Sequence, residues 1–258
     1  NTFKTVVNSG AWSSSAPIST ARNATASTGT QTASLLMAGK TSIPTNSLLV
    51  EQYNGTGWSA ETSMPQATRE GCGAGTTTAA LFAAGYGPSP PLGTASAFEY
   101  DGSSWTVTGS LGAGRTSATS AGTQTAALVA GGTQASSPNP SNRTELYNGS
   151  VWSDGPTLGT ARYQLMGSNV GLQTATLAIG GYQGPPGSRT EVESYDGSSW
   201  TATTVLPTGE GNSARYGIQT AAVAAGGSPS NTTSLQFDGT TWTATPSVAT
   251  AREENSGS

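Results

Sequence analysis

A chain made only of small, repeated antiparallel β-sheets is what this sequence predicts, and three observations predict it. The six tryptophans stand at positions 12, 58, 105, 152, 200 and 242, which are 46, 47, 47, 48 and 42 residues apart. An apolar block ending in glycine recurs in phase: TASLLMAG (32–39), TAALFAAG (78–85), TAALVAGG (125–132), TATLAIGG (174–181) and TAAVAAGG (220–227). An Asn-Gly or Asp-Gly pair precedes five of the tryptophans: Asn54-Gly55, Asp101-Gly102, Asn148-Gly149, Asp196-Gly197 and Asp238-Gly239. Three registers locked together from end to end make a repeat protein with a period near 47 residues.

Each repeat accounts for four strands. The Gly-Thr-Gln-Thr run before the apolar block, as at 29–32 and 122–125, marks a hairpin that joins an innermost strand to the block. The block is apolar on both faces and reads as a strand buried on both sides, its Ala and Gly letting neighbouring sheets approach closely. A third strand ends at Tyr53, Tyr100, Tyr147, Tyr195 or Phe237, five residues before each tryptophan, with Val7 in the degenerate first copy. The Asn-Gly or Asp-Gly pair then predicts a type I′ hairpin, and the tryptophan opens the fourth strand. No stretch carries a 3.6-residue apolar period.

Four antiparallel strands recurring at this spacing predict blades arranged round an axis, a β-propeller. A β-solenoid has shorter rungs and no hairpin turn in every repeat, and separate domains of this size would bury too little core without disulfides or metal. Residues 1–258 therefore read as one domain, with repeats at 12–57, 58–104, 105–151, 152–199 and 200–241 and partial repeats at 1–11 and 242–258. Five glycine-terminated strands make five blades the expectation. The alternative is a six-bladed ring whose sixth blade is shared between the two ends of the chain. The chain does not begin with Met, so it reads as a processed product or part of a longer protein.

Composition narrows the chemistry. The 258 residues include no His and one Cys, and charged residues make up 9%, so imidazole bases, Ser-His or Cys-His dyads, disulfide frameworks and Cys/His metal sites are excluded. A net charge of −4 offers no basic surface for nucleic acid, and no apolar run is long enough to span a membrane. A non-enzymatic protein without cofactor or metal is expected.

The Gly-Gly doublet after an apolar strand, followed by Tyr, a short polar turn and Trp, resembles the kelch repeat over the whole chain. The phrases TAR (160–162), GTQTAAL (122–128) and YNGSVW (147–152) are similar to those of kelch-like arrays in structural proteins of tailed bacteriophages, cyanophages among them. The doublet is degraded to Gly39-Lys40 and Gly85-Tyr86 in the first two repeats. This resemblance implies a virion or extracellular location, as a tail-fibre or capsid-appendage module. Its partners would be other virion proteins, further copies of itself, or a host-surface glycan or protein. A secreted carbohydrate-binding propeller is the alternative.

Strand alternation puts the loops after the Gly-terminated strands (40–46, 86–95, 133–143, 182–189 and 228–232) on one face, opposite the near-invariant turns. Proline clusters at Pro88/Pro90/Pro91, Pro138/Pro140 and Pro185/Pro186 stiffen three of them. Variable, stiff loops on a uniform frame read either as a recognition surface or as drifting connections. The candidate binding residues are Tyr86, Pro91, Leu92, Arg143, Tyr182 and Arg189. An arginine also recurs before each innermost strand: Arg22, Arg69, Arg115, Arg162, Arg215 and Arg252. These could ring the mouth of a central channel and hold an anionic partner, or each could bind carbonyls or a carboxylate such as Glu51, Glu145 or Glu193. Trp12, Trp58, Trp105, Trp152, Trp200 and Trp242 read as packing residues between blades, and Cys72 as a small buried residue.

Overall fold

The computed structural model describes residues 12–41, 45–87, 93–134, 137–165, 171–184, 187–228 and 231–251. Among them are strands and no helix, in five four-stranded antiparallel sheets and one three-stranded sheet. The first sheet runs β1 (Ala26–Thr30), β2 (Ala33–Met37), β3 (Val50–Tyr53) and β4 (Trp58–Glu61). The second runs β5 (Cys72–Gly75), β6 (Ala80–Ala83), β7 (Ala97–Tyr100) and β8 (Trp105–Val107). In the third repeat β9 (Arg115–Thr116) leads into β10 (Thr119–Thr123) and β11 (Ala126–Ala130). Then come β12 (Thr133–Gln134), β13 (Ser137–Pro140), β14 (Thr144–Tyr147) and β15 (Trp152–Gly155). There β10-β11-β14-β15 form the four-stranded sheet and β13-β12-β9 the small one. The fourth sheet is β16 (Gly171–Leu172), β17 (Ala175–Ile179), β18 (Val192–Tyr195) and β19 (Trp200–Ala202). The fifth is β20 (Ala214–Ile218), β21 (Ala221–Ala225), β22 (Ser234–Phe237) and β23 (Trp242–Ala244).

The four strands of each sheet are those the repeat predicts. Tyrosine (or Phe237) and tryptophan face each other in register, as in Tyr53↔Trp58 and Phe237↔Trp242, with ring centroids 4.9 to 5.2 Å apart. Each tryptophan strand thus closes the sheet of the tyrosine strand before it. Repeat windows that start at tryptophan therefore cut every sheet between its third and fourth strands. The Asn-Gly and Asp-Gly connections are not two-residue type I′ turns. Four residues, 54–57 in the first sheet, lie between the paired Tyr53 and Trp58; Gly55 has φ 93° while Asn54 does not enter the left-handed region. The Asn54 side-chain oxygen instead accepts the N–H groups of Thr56 and Gly57, both at 3.0 Å. An Asx cap, not a positive φ at both positions, is what these residues contribute.

Packing between sheets follows chain order. Leu35, Met37, Val50 and Met64 meet Ala80, Phe82, Phe98 and Tyr100 of the second sheet. Ala83, Ala97 and Leu111 then meet Val129 of the third. Leu128 and Leu158 meet Tyr195 of the fourth, and Leu177, Ile179 and Val192 meet Leu235, Phe237 and Trp242 of the fifth. Each large side chain buried in these seams contributes about 1.5–3 kcal/mol, and Phe82→Ala should cost ~3–5 kcal/mol. Polar links run alongside: the Gln124 amide donates to the Ala80 and Tyr100 carbonyls of the preceding sheet, and Gln173 does the same to Ala127 and Tyr147. The innermost strands come so close that a Cβ on Gly73 would lie 2.5 Å from the Ser27 carbonyl oxygen. Among the described residues no apolar cluster joins the fifth sheet to the first.

Candidate functional site

Two opposite faces arise from this topology, and they differ in kind. Gly55, Gly149, Gly197 and Gly239 sit over Thr32, Thr125, Thr174 and Thr220, so the Asx turns and first hairpins share one face. Its chemistry is the same in every repeat: Asn54, Asp101, Asn148, Asp196 and Asp238 each accept two backbone N–H groups. These bonds hold the carboxyls of Asp101, Asp196 and Asp238 below the ordinary aspartate range.

The other face carries a second, smaller ladder in each repeat. Residues entering the sheet pair with the residue just after the glycine, which in four repeats also pairs with the returning loop. The bridges are Asn23↔Lys40↔Asn46, Arg69↔Tyr86↔Gly93, Tyr163↔Tyr182↔Ser188 and Gly211↔Ser228. In the third repeat the same ladder lengthens into β9-β12-β13, which takes up Pro138 and Pro140 of the expected stiff loop. The backbone is constant, but the side chain it presents is not. Lys40, Tyr86, Thr133, Tyr182 and Ser228 occupy equivalent positions, and all five are half-buried.

Tyr86 and Tyr182 are therefore partly packed side chains on this ladder, not free loop tips. The Arg69 guanidinium lies over the Tyr86 ring at 3.8 Å, and Tyr182 packs against Tyr163 at 5.9 Å with the rings tilted by 38°. Arg143 and Arg189 are half-buried on the same side, tied at 2.7 Å to Asp154 and at 2.5 Å to Glu191. Pro91 and Leu92 lie outside the described residues, as do Pro88, Pro90, Pro185 and Pro186. Sequence reasoning missed Tyr163, whose only signal was its place directly after Arg162 in a repeat with a tyrosine after the glycine doublet.

The recurrent arginines do not line an open mouth. Arg115 and Arg162 are fully buried. Arg162 donates to the Gly180 and Glu191 carbonyls, both at 2.7 Å, and to the Glu193 carboxylate at 2.8 Å. Arg115 donates to the Arg143 carbonyl at 2.9 Å and pairs with Glu145; Arg22 pairs with Glu51. The same carboxylates accept N–H groups from the preceding connection, Gly112 for Glu145 at 2.6 Å and Gly159 for Glu193 at 2.7 Å. Each pair is thus a latch that pins the incoming chain to the third strand of its own sheet. Burial pulls the Arg115 and Arg162 guanidinium groups below their ordinary range, against the opposing pull of Glu145 and Glu193. Burial also pushes Glu51 up, but the Ser19 hydrogen bonds and Arg22 more than offset it and hold the carboxyl below its usual value.

Two repeats depart from the latch. In the second repeat Thr68 stands at the arginine position and Phe98 at that of the glutamate; Arg69, one residue on, instead donates to Asn46 at 2.7 Å and lies over Tyr86. In the fifth repeat the position ten residues after tryptophan is Glu210, and Leu235 replaces the partner glutamate. Arg215 is not in the arginine position at all: it lies inside β20, where the other innermost strands carry Ser27, Gly73 or Ser120. Counting arginines within a window, without aligning the glycine of each strand (Gly29, Gly75, Gly122, Gly217), produced that error. Arg252 lies outside the described residues.

Of the tryptophans, Trp58 and Trp105 donate to the Ala16 and Thr62 carbonyls, while Trp12 is 41% exposed. Cys72 is buried, and burial pushes its thiol up to about 12, so it is no nucleophile at neutral pH. Among the described residues no group of three acidic or cysteine side chains could hold a metal ion, and no helix is long and apolar enough to cross a membrane. The variable face presents hydroxyls, the tilted Tyr163–Tyr182 ring pair, an arginine over Tyr86 and partly exposed ion pairs.

No protein-family model and no curated protein matches the chain. Among solved structures, 179 chains match it; one, YjhT, superposes with a TM-score of 0.76 at 12% sequence identity, covering 93% of this chain and 87% of its own. A likeness at that identity shows the fold alone, and it accords with a propeller-like arrangement of the sheets.

Proposed function

We propose that this chain is a kelch-like propeller serving as a non-enzymatic binding module of a tailed-phage virion, as part of a tail fibre or capsid appendage. The face bearing Lys40, Tyr86, Thr133, Tyr182 and Ser228 meets a host surface or a neighbouring virion protein. One observation carries the reading: a backbone ladder repeated in all five repeats presents Lys, Tyr, Thr, Tyr and Ser in turn, while the opposite face repeats the same Asx turn. Uniform framework with variable presentation separates stability from recognition, as binding folds do. The phage context rests on the resemblance of the repeat phrases. The low charge suits it, since contacts made by hydroxyls and aromatic rings vary little with salt.

Binding of the purified protein to cells of a susceptible bacterial host, and to purified virions lacking it, tests the reading. Tyr86→Ala with Tyr182→Ala should abolish at least one of the two, while Asn148→Ala on the opposite face should leave both intact. Equal binding by all three proteins, or none by any, overturns it.

A second reading is favoured by the two aromatic contacts, Arg69 over Tyr86 and the Tyr163–Tyr182 pair. Aromatic faces of this kind accept sugar rings, so a secreted carbohydrate-binding propeller is the alternative. Saturable binding on a glycan array, lost in the same double variant and with no affinity for virions, would favour it.

A further inference from the structure

Two of the five Asx turns carry asparagine before glycine, Asn54-Gly55 and Asn148-Gly149, where the other three carry Asp101, Asp196 and Asp238. An asparagine followed by glycine readily loses its side-chain amide, because no Cβ on the glycine shields its backbone nitrogen from the asparagine Cγ. Both asparagines are exposed, and among the described residues neither glycine N–H is committed to a hydrogen bond. The reaction requires the carboxamide to leave its partners and the Asn-Gly peptide plane to turn until its nitrogen faces Cγ. Whatever holds the side chain or the peptide therefore slows it.

The two asparagines are held unequally. The Asn54 oxygen accepts the Thr56 hydroxyl at 2.8 Å besides the N–H groups of Thr56 and Gly57, and the Tyr53 hydroxyl donates to the Gly55 carbonyl at 2.9 Å. The Asn148 oxygen accepts the N–H groups of Ser150 and Val151, both at 3.0 Å, and no hydroxyl. Tyr147, the counterpart of Tyr53, turns its own hydroxyl to Glu99, at 2.7 Å, and to Thr108, so it does not clamp the Gly149 carbonyl. The glycines themselves are alike, with φ 93° and 91° and seats over Thr32 and Thr125. Two hydrogen bonds are what separates the sites.

We infer that Asn148 is a site of spontaneous deamidation in the folded protein, that it reacts ahead of Asn54, and that its turn accepts the aspartate product. The Gly149 nitrogen, its proton lost to hydroxide, attacks the Asn148 Cγ. The N–Cγ bond forms, the Cγ–Nδ2 bond breaks and ammonia leaves, giving a five-membered succinimide. Water then adds to Cγ and breaks the new bond, which gives aspartate, or adds to the main-chain carbonyl carbon, which gives isoaspartate. One water is consumed and one ammonia released, with no oxidant or reductant. Aspartate fits because Asp101, Asp196 and Asp238 accept the same two N–H groups in the same turn. Their second oxygens also accept the hydroxyls of Ser104, Ser199 and Thr241, a donor that Val151 does not supply in the third repeat. Isoaspartate instead adds a backbone atom to the connection between the paired Tyr147 and Trp152 and takes the capping oxygen away.

Peptide mass spectrometry on the full chain, kept folded at mildly alkaline pH, tests this. Asn148 should convert on the order of tenfold faster than Asn54, and in urea, where both turns are lost, the two rates should converge. Tyr53→Phe frees the Gly55 carbonyl and should speed Asn54 roughly two- to tenfold while leaving Asn148 unchanged. Asn148→Asp, which makes the product directly, should melt with the unmodified chain, whereas the isoaspartate fraction should melt below it. Asn54 converting as fast as Asn148 in the folded chain overturns the inference. So does an Asn148 that stays intact after the urea-unfolded chain has converted, a Tyr53→Phe variant with no change at Asn54, or a clear loss of Tm in Asn148→Asp.

Discussion

The third and fifth repeats answer the same structural demand with opposite charges. In the third, a buried Arg115 reaches two strands across its own sheet to Glu145, which also accepts the Gly112 N–H. In the fifth, Glu210 occupies the arginine position, Leu235 replaces the glutamate, and Arg215 arrives from within β20. The first arrangement satisfies a carboxylate from several sides. In the second, Glu210 Oε2, Asn212 Oδ1 and Ser213 Oγ are buried without hydrogen-bond partners. Burial pushes the Glu210 carboxyl up to about 7, and the Arg215 charge only partly counters it. Burial likewise draws Arg215 down to about 10. The difference teaches that the fold tolerates a repeat without the Arg–Glu latch, and that the fifth repeat's version leaves a carboxyl titrating near neutrality.

The largest effect should come from breaking the intact latch. Glu145→Leu copies the residue the fifth repeat already has, but strands a buried guanidinium, and should cost ~3–5 kcal/mol in urea unfolding. Adding Arg115→Met should recover part of that loss, with the Gly131 and Arg143 carbonyls still lacking their donor. A loss under about 1 kcal/mol for the single variant would mean that the latch is ornamental.

Next comes the pH response of the inverted pair. A carboxyl raised from 4.5 to about 7 keeps its proton in the folded chain while the unfolded chain has released it. Its contribution to stability is therefore fully present below pH 4.5, declines between 4.5 and 7, and is constant above that. The decline is worth a few kcal/mol at most, at about 1.4 kcal/mol per unit of displacement. Glu210→Gln should flatten the Tm-versus-pH curve across that window. Glu51, held low by Ser19 and Arg22, acts below 4.5 with the opposite sign, so the two are separable. An unchanged slope in Glu210→Gln would remove Glu210 as the titrating group.

The smallest effect should appear where the repeats agree. Asp238→Ala removes an exposed side chain that accepts the Thr240 hydroxyl and the Thr240 and Thr241 N–H groups. It should lower Tm by no more than a few degrees, and the Asn148→Ala variant of the third repeat should match it. A much larger loss in one of them would show that the Asx turns are as unequal as the latches.

Much of this was legible from residues alone, for a local reason. A strand buried on both faces, an Asx residue before glycine and a tyrosine five residues ahead of a tryptophan are short-range patterns, so the four strands of each sheet follow from them. The latch was legible in part: Glu51, Glu145 and Glu193 could be named as partners, but not distinguished from an anion-binding ring. What failed was long-range or hidden. The type I′ turn was misjudged because Asn and Asp can serve by capping as well as by φ. Arg215 was misplaced because a charge count ignores strand phase. The variable-face ladder escaped because pairing of single residues such as Lys40, Tyr86 and Tyr182 leaves no period in the sequence.

The sequence by itself determined the period, the all-β class, the strand order within each sheet and the absence of imidazole and thiolate-cluster chemistry. These depend on residue type and spacing along the chain. Tertiary structure decided which arginines are buried and which side chains share the variable face. Those outcomes rest on contacts between residues tens of positions apart, where burial and partner geometry, not local preference, set the free energy.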